Sequence, residues 1–190
     1  DATKKGTLAA HVAALEAQKT LLTTYNKGIV QALVDKITAW DITNLGTVSL
    51  ANFVTGVTDT NTEVAALSAE NKAAVLAATT TKLANYVAAV EVVDLILSLS
   101  TDYTTKTASA EVDEFIEAAQ AARTAFKDLS SAQKPLVVNI DDLASYETAV
   151  AAKKKDLLTA EALTDWNVAY TGIRDLDATL TFNEATFDYN

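Results

Sequence analysis

An all-α fold made of tandem three-helix-bundle repeats is the class this sequence predicts, and three observations predict it. The composition is dominated by 36 Ala and 27 Thr with only 5 Gly and 1 Pro across 190 residues, so the punctuation that many short strands need is missing. Apolar residues recur at steps of three and four, the period of a helix with one buried face. The chain also repeats itself at an interval of about sixty residues.

Ala is the strongest helix former and Thr a weak one. Thr gathers at 59–62, 79–81 and 101–107, which are therefore expected to be turns. The elements follow in order: a long helix over 7–40, then a loop, a helix over 50–66 and a turn near Ser68. A short helix over 70–78 and one over 82–100 complete the first set. A second set has a helix over 109–128, a turn at 129–132, a loop after Pro135 and a long helix over 141–176. Ser68 and Ser130 are expected N-caps, because a hydroxyl there accepts from a free amide of the first turn. Ser109 opens a helix whose first turn carries Asp113 and Glu114, as the helix dipole favours.

The repeat rests on ordered matches. Leu83-Ala-Asn-Tyr-Val-Ala-Ala-Val90 matches Leu143-Ala-Ser-Tyr-Glu-Thr-Ala-Val150, Ala66-Leu-Ser-Ala-Glu-Asn-Lys matches Asp128-Leu-Ser-Ser-Ala-Gln-Lys, and Leu33-Val-Asp35 matches Val92-Val-Asp94. A further copy at Leu8-Ala-Ala-His-Val-Ala-Ala-Leu15 puts His11 where the others have Tyr86 and Tyr146. The expected organisation is a first bundle over 1–90, with the end of a preceding repeat at 7–22, a second bundle over 91–176, and a tail or the start of a further unit over 177–190. Leu180, Phe182, Phe187 and Tyr189 leave the tail's conformation open between extended chain and helix. Because neither Gly nor Pro interrupts the stripes Leu83, Tyr86, Val90, Val93, Leu97 and Leu143, Tyr146, Val150, Lys153, Leu157, adjacent bundles are expected to be joined by long continuous helices in an elongated, spectrin-like architecture. Leu8, His11, Leu15, Gln18 and Leu22 are read as a third such seam. Val112, Phe115, Ala119, Ala122, Phe126 and Leu129 form another, with Ala positions that let backbones approach.

Charge and residue usage exclude much chemistry. With 15 Lys+Arg against 25 Asp+Glu the net charge is -10, which disfavours nucleic acid, whose recognition needs clustered cations. With no Cys and one His, thiolate and multi-imidazole metal sites and His-based triads lack their parts. No apolar run is judged long enough to span a bilayer, so no membrane insertion is expected, and the N-terminal residues lack the apolar core of a signal peptide. The expectation is a soluble chain, from which any signal peptide has been removed or was never there. An absence of Cys suits an exported protein.

The segment Phe115-Ile-Glu-Ala-Ala-Gln-Ala-Ala-Arg-Thr-Ala-Phe-Lys-Asp-Leu-Ser-Ser-Ala-Gln-Lys-Pro-Leu-Val-Val-Asn139, followed by Leu143 and Tyr146-Glu147, resembles a helical repeat module of Gram-positive bacterial surface-layer (S-layer) and cell-wall-associated proteins. The resemblance lies in Ala122-Arg123, Phe126, Leu129-Ser130, Gln133-Lys134, Leu136-Val137 and Asn139 at the module's spacing, and it covers about sixty residues. The first set keeps Leu67-Ser68, Asn71-Lys72 and Val75 but has Glu63 near the place of the Arg, so its membership rests on the internal repeat. The resemblance implies an extracellular setting at the cell surface or cell wall. It also implies a structural or spacer role in envelope assembly, with other copies of the protein as partners through lattice or lateral contacts. No enzymatic activity is expected.

His11 is expected to pack at a seam edge. Trp166 and Tyr170, with Trp40 as a further candidate, would suit a sugar ring, although Trp166 sits on the stripe Ala162, Trp166, Ala169, Ile173, Leu176 and burial is the expectation. Lys153, Lys154 and Lys155 are the basic run that an anionic wall polymer would meet, and a solvated face is the plainer reading. The alternative function is therefore a module binding cell-wall polysaccharide through Lys153, Lys154, Lys155, Trp166 and Tyr170. The acidic pairs Asp113-Glu114, Asp141-Asp142 and Asp175 with Asp177 do not form the twelve-residue calcium loop. Calcium would then be held diffusely, no dedicated cofactor is expected, and assembly is expected to depend on calcium.

Overall fold

The computed structural model describes residues 2–79 and 81–179, with backbone alone at residue 2 and over 173–179. Among the described residues the regular structure is entirely helical: α1 (Ala2–Thr38), α2 (Leu50–Ala65), α3 (Ala69–Thr79), α4 (Lys82–Leu97), α5 (Asp113–Asp128) and α6 (Ile140–Thr179), with 3-10 turns at Asp102–Thr105, Ser109–Val112 and Lys134–Leu136. The chain is all-α. Its contacts divide it into two compact units, residues 1–98 with 122–140 and residues 99–121 with 141–190. The tail residues Leu180, Phe182, Phe187 and Tyr189 lie outside the described residues.

In the first unit α1 packs on α3 and α2 on α4. Leu33 and Ile37 from the end of α1 meet Val64, Val75 and Leu83 in a common core, with Trp40, Leu67 and Val87 around it. Each fully buried aliphatic side chain contributes about 1.5–3 kcal/mol relative to exposure. Ser49 accepts from the Asn52 amide at 3.2 Å to start α2, and Ser68 accepts from the Asn71 amide at 3.3 Å to start α3. Ser130 behaves differently: its own amide donates to Gln133 Oε1 at 2.8 Å, and a turn follows instead of a helix. In the loop before α2, Asp41 accepts from the Thr43 hydroxyl at 2.7 Å and amide at 3.0 Å. Those bonds, the hydroxyl first, hold its carboxyl below the usual range. Gly46 turns the chain at φ +58°, a conformation that costs an L side chain about 1–2 kcal/mol.

The Thr-rich stretch at 59–62 is not a turn but lies inside α2. Thr55, Thr58, Thr60 and Thr62 each donate the hydroxyl to the carbonyl four residues back, on Ala51, Val54, Gly56 and Thr58. The hydroxyls are thereby satisfied within the helix, and the buried Val54, Val57, Thr60 and Val64 hold it in place by packing. The other two Thr clusters do fall at breaks, between α3 and α4 and after α4.

Helix α4 is more apolar than the sequence reading allowed. Residues Lys82–Thr105 meet the length and composition of a membrane span, at mean hydropathy 1.6. The helix itself ends at Leu97, and Leu83, Tyr86, Ala89, Val90, Val92, Val93 and Ile96 are buried within the protein. A core helix needs the same composition.

In the second unit Val112, Phe115 and Val150 form the core, with Tyr103, Ile116, Tyr146 and Leu157 against it. Tyr103 stands edge-on to both Phe115 and Tyr146, ring centres 6.1 and 5.4 Å apart. The two units share one device. Tyr86 donates its hydroxyl to the Trp40 carbonyl at 3.2 Å and Tyr146 to the Ser100 carbonyl at 2.8 Å, each bond reaching back 46 residues. Burial pushes both phenols up.

Candidate functional site

The sequence-predicted residues Lys153, Lys154, Lys155, Trp166 and Tyr170 all lie on α6 in the second unit, and they do not form one site. Lys154 reaches across to Asp113 at the start of α5 in a short ion pair. It is thus a tie between helices rather than a free cation. Lys153 is half-buried and Lys155 exposed. Lys154, Lys155, Leu158 and Ala162 of α6, with Ile116 of α5, line an open groove of about 540 Å³. Its floor is mostly methyl and methylene, so it can take apolar chain and place one ammonium beside it.

Trp166 is not buried as its stripe suggests: it is 61% exposed. Among the described residues no helix packs on the stripe there, and residues 162–172 are exposed throughout. Trp166 and Tyr170 instead stack on each other, ring centres 5.3 Å apart and planes within 8°, the contact that four-residue spacing on a helix allows. Ile173 and Leu176, the last two members of the stripe, have side chains outside the described residues. Trp40 is half-buried in the first unit, 5.5 Å from the Tyr86 ring, and carries structure there.

His11 is likewise corrected. It is exposed, as are Leu8, Leu15, Gln18 and Leu22 of the same expected seam. Steps of three and four give a helix an apolar face; they do not supply what covers it.

Sequence reasoning missed Glu161 and Glu111. Glu161 Oε1 accepts from the Ser109 amide at 2.6 Å and Oε2 from the Ser109 hydroxyl at 2.7 Å, which pins the start of the α5 segment to α6. Glu111 Oε2 accepts from the Thr107 and Ala108 amides at 3.1 and 2.9 Å. Amide donation holds both carboxyls below the usual range: from Ala108 and then Thr107 for Glu111, and from Ser109, amide then hydroxyl, for Glu161. The Glu111 bonds follow from its position three residues past Ala108. The Glu161 bond spans 52 residues, and nothing local announces it. Among the described residues no three Asp, Glu or His side chains converge as a metal site.

No protein-family model, no curated protein and no solved structure matches the chain.

Proposed function

We propose that the chain is a structural segment of a bacterial cell-surface protein of the S-layer type, built from tandem three-helix bundles carried on long helices and assembling with other copies of itself at the cell surface. The supporting observation is the duplicated clasp: two tyrosines sixty residues apart, each donating to a carbonyl 46 residues earlier. A bond repeated at the sequence interval is what tandem copies of one module would produce. Calcium enters as a bridge between acidic surfaces, not as a resident cofactor. An antibody to the chain should label intact cells of the source bacterium, and calcium should increase light scattering by the purified chain. Labelling confined to permeabilised cells would overturn the reading.

A second reading, a polymer-binding module, is favoured by the exposure of the stacked Trp166 and Tyr170. Since Lys154 holds Asp113, the informative variant is Lys155→Ala/Trp166→Ala. Loss of co-sedimentation with purified cell walls in that variant, but not in wild type, would support this second reading.

A further inference from the structure

Two helix faces on this chain are apolar, exposed and oppositely charged. On α1, Leu8, Val12, Leu15 and Leu22 follow steps of four, three and seven, so they share one face, and all four are at least half exposed. Lys5 and Lys19 occupy the same face, three before Leu8 and four after Leu15. Over residues 2–28 there are Lys4, Lys5, Lys19 and Lys27 against Glu16 alone, a net charge of +3 in a chain whose total is -10. On α6, Leu158, Ala162, Trp166 and Tyr170 share a face, with Leu163 beside Trp166, and the leucines and both aromatic residues are exposed. Asp165 stands on that face, three after Ala162, and Asp156 lies seven before Leu163, two turns away on the same side. Lys155 stands on the same face, three before Leu158, so residues 155–172 hold Lys155 against Asp156, Glu161 and Asp165, a net charge of -2.

From this complementarity we infer that the α1 face of one copy docks on the α6 face of a second copy, head to tail. Apolar contact supplies the non-directional attraction, and the opposite charges select the pairing, since two α1 faces or two α6 faces would repel. A contact between two different faces is heterologous, so each copy keeps one face open for the next and the pairing propagates. The inference rests on the proposed self-assembling role and names the surface that would serve it. Trp166 and Tyr170 would be covered in the contact, so polymer and second copy would compete for them.

The test uses sedimentation velocity on the whole chain and two variants altered only at exposed residues, Lys5→Glu/Lys19→Glu and Asp156→Lys/Asp165→Lys, with helicity checked by circular dichroism. Wild type should associate with rising concentration. Going from about 0.1 M to about 1 M salt shortens the screening length from about 10 Å to about 3 Å, which should weaken association about tenfold. Each variant alone should stay monomeric, because both of its faces then carry one sign. An equimolar mixture should associate again, because the lysine face of one meets the aspartate face of the other. Wild type that stays monomeric at every concentration overturns the inference, as does either variant associating like wild type, or a mixture that fails to recover. These results leave cell-surface labelling untouched, so failure of the contact and failure of the proposed setting can be told apart.

Discussion

Replacing Ile37 by Ala separates what the stripe on α1 means at its two ends. Ile37 is fully buried and Leu15 is 64% exposed, although both belong to helix α1 and to apolar steps along it. Ile→Ala removes three carbon groups, a transfer loss of about 2.4 kcal/mol at about 0.8 kcal/mol each. The cavity left among Leu33, Val64, Val75 and Leu83 adds to this, for a total of about 3–4 kcal/mol, within the usual span for such deletions. Leu15→Ala should change stability by less than about 0.5 kcal/mol in dilute monomer. Urea unfolding followed by fluorescence reads the difference, because Trp40 lies against the same core. With m of about 1–3 kcal/mol/M, Ile37→Ala should lower the midpoint by more than about 1 M. Equal losses from the two variants, or a loss below about 1 kcal/mol for Ile37→Ala, would refute the account of where α1 is packed.

Further outcomes follow from the same geometry. Tyr86→Phe removes one hydrogen bond to a part-buried carbonyl and should cost about 1 kcal/mol, measured by the same unfolding. Because the carboxyls of Glu111 and Glu161 are held below their usual range in the folded chain, their contribution is present above the ordinary Glu range. It disappears as pH falls through the lowered values. Acid titration by circular dichroism should show the second unit losing stability over that window, with a shallower loss in Glu161→Gln. Acrylamide should quench Trp166 more strongly than Trp40, which single-Trp variants Trp40→Phe and Trp166→Phe resolve. Gly46→Ala should destabilise by about 1–2 kcal/mol, since φ is +58° there.

Helix positions were legible because Ala content and three-four spacing are local signals: α2 and α3 begin and end within a residue or two of the expected limits. What covers each face was not legible. Leu8, Leu15 and Leu33 read alike in sequence, yet only Leu33 is buried, since burial depends on a partner helix that the spacing does not name. The Thr residues of α2 misled for a different reason. Low intrinsic propensity, from the restricted χ1 of a β-branched side chain, predicts a break, whereas burial of Val54, Val57, Thr60 and Val64 holds α2 together through tertiary packing. Of the candidate site, the residue types were visible, but the Lys154–Asp113 and Glu161–Ser109 ties depend on long-range placement. They decide that this lysine run is partly structural.

The inward-turned hydroxyls extend well beyond α2. Thr7, Thr20, Thr23 and Thr24 on α1 and Thr148, Thr159 and Thr164 on α6 donate to their own helices in the same way. Each proton so engaged is withdrawn from the surroundings, and the γ-methyl stands beside it on the same Cβ. The flanks of these helices therefore offer a neighbouring molecule a coat of hydrocarbon in place of the donors that these eleven threonines would otherwise supply. Specificity for any partner is left to the scattered ammonium and carboxylate groups between them.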